Sequence, residues 1–375
     1  MRQSGSTNLE SVQIQEDVAL APYTTLRVGG PARFFVEAQS DQQILEALRF
    51  ARSRGLEIFV LGGGSNLLVS DEGFCGLVLH MAGGELQAFS DGSGGLRVVA
   101  DAGVDWDAVV RLAVEENAGG IECLAGIPGS VGGTPVQNVG AYGQEIASTL
   151  TRVHAVDLAE DRVLNFARGE CGFAYRRSRF NTEQAGRYAI TQVEYRLELG
   201  AKPSLEYRDL SQYFRERGAE HPTLAETADA VRVIRSRKGM VLAEGDADTR
   251  SAGSFFKNPA VGADVIWTLA KTAGCPVEQV PQYRAGAEYG AGVVKTSAAW
   301  LIELAGFSKG FALGRAGLSS KHVLAITNRG GATAAEIVAL RDTVIAGVME
   351  RTGIRLEQEP VLLGFPSQNG HSAFR

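Results

Sequence analysis

Two glycine-rich loops constrain this chain more than any other feature. The first, Gly62-Gly63-Gly64-Ser65-Asn66, follows a short apolar run, Ile58–Leu61, and leads into a second β-like run, Leu67-Leu68-Val69. The second reaches from Ala125 to Gly143 and carries Gly126, Gly129, Gly132, Gly133 and Gly140 together with Pro128 and Pro135. Glycine loses more conformational entropy on folding than any other residue, so loops this rich in it point to a close backbone approach. Bare N–H groups after a strand can cradle a phosphate. The first loop is neither a Rossmann nor a P-loop signature: Leu67 stands where a third glycine of G-x-G-x-x-G belongs, and no G-K-[ST] follows. What comes next is β-like, so an anion would rest in a nest of amides rather than at a helix N-terminus. Alone, a triple glycine is more often a tight turn. Two such loops together point to an extended, phosphate-bearing cofactor.

Around these loops the sequence reads as a mixed α+β chain. Ser40 and Gln43 suggest a capping box at the head of a helix whose apolar face is Ile44, Leu45, Leu48 and Ala51, with Gly55 at its end. Residues 83–95 read as a polar connection, 96–104 as a strand, Trp106–Asn117 as a helix, and 151–197 as several short strands. Thr333 and Glu336 cap a last long helix whose inward face is Ile337, Leu340, Val344 and Val348. The segment IRLEQEPVLLG then reads as a strand able to rejoin an earlier domain. A chain of 375 residues is long for a single core, and the changes of texture place boundaries near 90 and 238. The ends, 1–14 and 365–375, read as loose.

Net charge is −6, which disfavours nucleic acid or an anionic membrane surface as a partner. No apolar run approaches the ~20 residues of a membrane span, and the polar N-terminus carries no secretory signal. Cys75, Cys123, Cys171 and Cys275 are far apart with no C-x-x-C. Reduced thiols in a cytoplasmic protein are therefore expected, with no metal site and no disulfide framework.

At motif level the chain resembles a known family. YTTLRVGGPARFF (23–35), LGGGSNLLV (61–69) and LAGIPGSVGGTPVQNVGAYG (124–143) look like the flavin-binding segments of the UDP-N-acetylenolpyruvoylglucosamine reductases. The likeness continues in order through FAYRRSRF, SAGSFFKNP and LEQEPVLLG. It implies a two-subdomain FAD-binding module of the vanillyl-alcohol-oxidase type (15–90 with 354–364, and 91–237) plus a third α+β domain for substrate (238–353). It implies non-covalent FAD held by Gly62, Gly63, Gly64, Ser65, Asn66, Gly126, Ile127, Pro128, Gly129, Ser130, Gly133 and Arg235. It also implies NADPH as hydride donor and reduction of UDP-N-acetylglucosamine enolpyruvate to UDP-N-acetylmuramate, a peptidoglycan precursor. No obligate protein partner is expected. Vanillyl-alcohol-type oxidases often tether flavin through a histidine near the first loop; the nearest here is His80, so a covalent flavin is not expected.

Reducing an enol ether conjugated to a carboxylate needs a hydride source, a positive partner for the developing enolate, and an acid. The resemblance assigns the last two to Arg176, Ser254 and Glu359. A guanidinium stays charged and binds a carboxylate through two parallel bonds. A serine hydroxyl serves as an acid only toward a strongly basic carbanion. Glu359 would help the enolate only by carrying a proton or orienting a donor, hence with a raised pKa. Without the resemblance, Arg176 reads as part of a solvated cluster with Arg177 and Arg179, and Ser254 as a turn residue. Glu357, two residues from Glu359 and on the same strand face, leaves the choice between them open. For substrate, the resemblance assigns Tyr207 to a mobile loop closing over the nucleotide sugar, Lys238 to the diphosphate, and Asn258 to a polar contact. An acidic insertion (244–248) follows Lys238.

Overall fold

The computed structural model describes residues 12–286 and 289–366. Of the ends read as loose, 1–11 and 367–375 lie outside the described residues. Ser40 opens helix α1 (Asp41–Ser53) by accepting the Gln43 N–H. The Gln43 side chain reaches back to the Gln39 amide rather than to Ser40, so the reciprocal capping box expected there does not form. Ile44, Leu48 and Ala51 bury against a four-stranded sheet built from β1 (Gln15–Ala19), β2 (Pro31–Ala38), β3 (Ile58–Leu61) and β5 (Phe74–Met81). Its order is β1-β2-β5-β3, and β2, β5 and β3 run parallel. Between β3 and β5 the chain passes through the first glycine loop and a short strand, β4 (Leu67–Val69).

A second sheet, six-stranded among the described residues, contains β6 (Leu86–Ser90), β7 (Gly95–Asp101), Leu150–Asp157, Arg162–Ala167 and Tyr188–Leu199. Here the expected polar connection over 83–95 gives way to a hairpin: Leu86–Ser90 pairs antiparallel with Leu96–Ala100. The boundary expected near 90 thus falls inside a sheet. Glycines on both sides hide a short alternation in which Leu86 and Ala88 pack inward, and the Asp91 carboxylate accepts the Ser93 and Gly95 amides to close the turn. Helices α2 (Trp106–Glu115), α3 (Arg208–Arg215) and α4 (Leu224–Arg237) pack on this unit.

Beyond residue 238, α5 (Ala263–Ala273), α6 (Ala298–Leu304) and α7 (Ala334–Thr352) share a core with Phe255 and Phe256. Helix α7 carries the capping box of Thr333 and Glu336, and it buries Ile337, Leu340, Val344 and Val348. Asp71, from the first sheet's end of the chain, also accepts the Ala334 and Ala335 amides at 2.7 and 2.9 Å. A second carboxylate at that N-terminus complements the helix dipole and ties the two parts of the chain together. Leu26, Val28 and Leu68 complete the same core. No helix among the described residues is long and apolar enough to cross a membrane.

The C-terminal strand is shorter than expected. Only Val361–Leu363 is strand, parallel to β4 with Val361 opposite Leu67 and Leu363 opposite Val69. Before Pro360, which has no N–H to give, Gln358 bridges to Phe256 instead. Glu359 therefore sits where the chain changes partner.

Candidate active site

The two glycine loops lie against each other with no room for side chains between them. A Cβ on Gly63 would stand 2.6 Å from Gly129 Cα, and one on Gly129 would stand 2.7 Å from Ser65 Oγ. Gly64 has φ +58°, and a Cβ there would meet the Tyr23 carbonyl at 1.9 Å. Ser130 Oγ accepts the Gly63 N–H at 3.0 Å. Nothing stands within 4 Å of the position a Cβ would take on Gly133. The result is a surface of bare backbone shared by two loops, with half-buried Ile127 and Pro128 beside it, and it fits the phosphates of an extended cofactor. A Gly63→Ala substitution should push the loops apart and lower flavin retention several-fold. The ratio of visible to ultraviolet absorbance after gel filtration measures it, and wild-type retention would show that the contact is dispensable.

Beneath the second loop lies Arg235 of α4, buried, with Nε donating to the Gly126 carbonyl at 3.3 Å and Nη2 to Met240 at 3.1 Å. Burial pulls its pKa below the ordinary arginine value, and neighbouring Tyr142 and Asp107 act against that. Asn66 joins three segments. Its amide donates to Gln137 Oε1 at 2.7 Å and to the Glu359 carbonyl at 3.3 Å, while its own carbonyl accepts from the Val361 amide at 3.0 Å. The end of the first loop thereby fixes both the second loop and the backbone that carries Glu359.

Arg176 stands at the tip of a tight turn in which Ala174 and Arg177 exchange backbone hydrogen bonds. Its φ is +55°, a left-handed conformation that strains a non-glycine residue. Asn181 holds its carbonyl at 3.1 Å, and its Nη2 donates to Gly140 at 2.8 Å. The Nε lies 3.3 Å from Glu359 Oε1, an ion-pair distance, yet it is misaligned and forms no hydrogen bond although fully buried. A buried donor without a partner is uncommon in a folded protein.

The structure separates the two candidate glutamates. Glu357 is exposed and pairs with Lys257 Nζ at 2.5 Å, whereas Glu359 turns inward with its side chain 13% exposed. Burial raises the Glu359 pKa, opposed by the Arg176 and Lys257 charges. The Glu359 amide donates to the Phe255 carbonyl at 2.9 Å, so the segment that follows Ser254 runs beside Glu359. The Ser254 hydroxyl, half-buried, makes no hydrogen bond among the described residues.

Tyr207 caps the start of α3, and its ring meets the Tyr142 ring edge-on at 5.1 Å. Lys238 ends α4 and donates to Asp209 at 2.7 Å. Asn258 differs from a free polar contact: its carbonyl oxygen accepts the Ala298 amide at 2.9 Å at the head of α6, leaving only its NH2. Sequence reasoning missed several neighbours. Tyr175, adjacent to Arg176, has Lys295 Nζ 3.3 Å from its ring centroid, and burial raises its pKa. Glu122 is buried and accepts from Gly120, Gln144 and Ser204, linking the second loop to the root of the Tyr207 segment. A carboxylate among glycines was its only signal.

Comparison with known proteins agrees with this architecture. An FAD-binding domain family matches residues 32–167, and the C-terminal domain of UDP-N-acetylenolpyruvoylglucosamine reductase matches residues 245–363. The chain is 45% identical over 354 residues to the UDP-N-acetylenolpyruvoylglucosamine reductase of Thermobifida fusca, covering 93% of this chain and 97% of that one. It is 46% identical over 356 residues to the same reductase of Nocardia farcinica, covering 94% and 90%. The crystal structure of the reductase from Thermus caldophilus is similar with a TM-score of 0.61 at 26% identity, covering 94% of this chain and 99% of that one. The chain belongs to the UDP-N-acetylenolpyruvoylglucosamine reductase family.

Proposed function

We propose that this chain reduces UDP-N-acetylglucosamine enolpyruvate to UDP-N-acetylmuramate with NADPH as donor. Its FAD module is of the two-subdomain vanillyl-alcohol-oxidase type, holds FAD non-covalently, and acts with the third α+β domain in the cytoplasm. The observation that carries this reading is the buried, unsatisfied Arg176 Nε–H beside a carboxyl whose pKa burial has raised. That pair offers a single oxyanion a fixed positive donor and a carboxyl that burial biases toward its acid form.

When bound, FAD supplies hydride transfer from NADPH to the enolpyruvyl group. The chain's own residues do the rest. Arg176 takes the substrate carboxylate and stabilises the negative charge that develops as hydride adds to the β-carbon. Glu359, whose acid form burial favours, donates to the same oxygen pair. Ser254 gives its proton to the α-carbon, so the carbon–carbon double bond gains one hydride and one proton. Lys238 and Tyr207 hold the nucleotide, and the free NH2 of Asn258 faces substrate. The first loop contains no histidine, and His80 is engaged with the Tyr23 and Phe35 rings, which supports a non-covalent flavin.

The test is stopped-flow absorbance on purified protein. The expected result is a yellow protein bleached anaerobically by NADPH and recoloured rapidly by the enolpyruvate. Recolouring by O₂ alone would make it an oxidase.

A further inference from the structure

We propose that Asp209 is the resident counter-ion of an anion cradle formed by Lys238, Lys309 and His322, and that the nucleotide diphosphate binds by displacing it. This rests on the function proposed above and concerns how the same cleft admits substrate.

The Asp209 carboxylate accepts from Lys238 Nζ at 2.7 Å, with side-chain exposures of 42% and 34%. Lys309 is exposed and forms no ion pair among the described residues. His322 is half-buried, and after burial itself the charges of Lys238 and Lys309 push its pKa down to about 4, with Asp209 pulling the other way. The backbone brings these residues together: the Gly310 amide donates to the Ser319 carbonyl at 3.2 Å, the His322 amide to the Ser319 hydroxyl at 3.4 Å, and a Cβ on Gly239, next to Lys238, would stand 3.4 Å from the Lys321 side chain. It gathers two lysines, one imidazole and a single aspartate.

A neighbouring cation, Lys321, is already paired. Lys321 donates to Asp246, while Asp248 accepts from both the amide and the hydroxyl of Ser320. The acidic insertion therefore neutralises the flank of the cradle and leaves its centre positive. A carboxylate with one charge cannot match two lysines, whereas two linked phosphoryl groups can. An ion pair this open to solvent is weak and exchangeable.

The consequence concerns Tyr207. Asp209 lies in the first turn of α3, two residues after Tyr207, whose ring rests on Tyr142. Exchanging Asp209 for a diphosphate at Lys238 frees the Asp209 side chain two residues from Tyr207, while buried Leu210 keeps α3 in place.

The experiment is calorimetric titration of UDP into the FAD-loaded protein. Asp209→Asn should bind UDP roughly 2- to 5-fold more tightly than wild type, the size expected when an exposed competing pair is removed. Lys238→Met should bind more weakly, and adding Asp209→Asn to it should gain nothing, because the competitor acts only through that lysine. An unchanged flavin spectrum checks folding, and Asp209→Ser makes the same comparison if the Asn variant loses flavin. Unchanged or weaker binding by the Asp209 variants, with Lys238→Met still impaired, would overturn the displacement and leave the nucleotide cleft standing. Wild-type protein that ignores UDP would overturn both.

Discussion

In Ser254→Ala, NADPH bleaches the flavin at the wild-type rate while recolouring by the enolpyruvate slows by roughly 10²- to 10⁴-fold, the usual contribution of a positioned acid. The asymmetry follows from what the hydroxyl touches. It has no hydrogen bond among the described residues, so its removal orphans no partner there and opens no buried polar gap. The surrounding turn is fixed by other means. The Phe255 amide donates to Leu324 at 2.7 Å, the Phe255 and Phe256 rings are buried, and Gly253 supplies the positive φ of +70°. Thermal midpoint should therefore stay within a degree or two of wild type. Reduction of the flavin needs no proton at the substrate α-carbon, so that half-reaction is spared. Recolouring needs one, and without Ser254 the developing carbanion has only solvent to protonate it. Equal slowing of both half-reactions would remove Ser254 from the role of acid and make it a structural residue of the cleft.

The parts of this site that were legible in the sequence are those set by local chemistry. The glycine loops announce bare backbone, and the structure shows why: Gly63 and Gly129 touch without space for a methyl group. The face of α7 follows from its period, and Thr333 with Glu336 marks its start. What the sequence hides is long-range pairing. Nothing local reveals that Asn66 binds the backbone of Glu359, or that Asp71 caps α7, because both contacts join segments hundreds of residues apart. The choice between Glu357 and Glu359 depends on such a contact. Alternation places both on one strand face, but the regular strand begins only after Pro360, and the partner change at that point turns one carboxyl outward to Lys257 and the other inward to Arg176. The β6 hairpin was hidden for a different reason, since five strand residues between glycines carry too short an alternation to stand out.

Glu359→Ala should lower the rate of recolouring by roughly 10²- to 10³-fold, as expected when one oxyanion donor is removed. Glu359→Gln should retain most of the activity and lose its pH dependence. The reasoning starts from burial, which raises the Glu359 pKa above its ordinary value of 4.5 more than Arg176 and Lys257 lower it. With the acid as the proposed working form, the wild-type rate falls as pH rises through the raised value. A glutamine amide donates a hydrogen bond at every pH and keeps the Arg176 neighbourhood filled, so that fall disappears. Stability follows the same sign. Below 4.5 folded and unfolded chains both hold the proton; between 4.5 and the raised value only the folded chain does. Stability from this group is therefore full at low pH and lost as pH climbs through that window. Alanine differs from glutamine because it empties the space beside a buried guanidinium whose Nε already lacks a hydrogen bond. Single-turnover recolouring measured across pH for the three proteins decides the matter. A wild-type rate that rises with pH, with glutamine as slow as alanine, would mean the carboxylate does the work by orienting Arg176, and the proton would have to come from elsewhere.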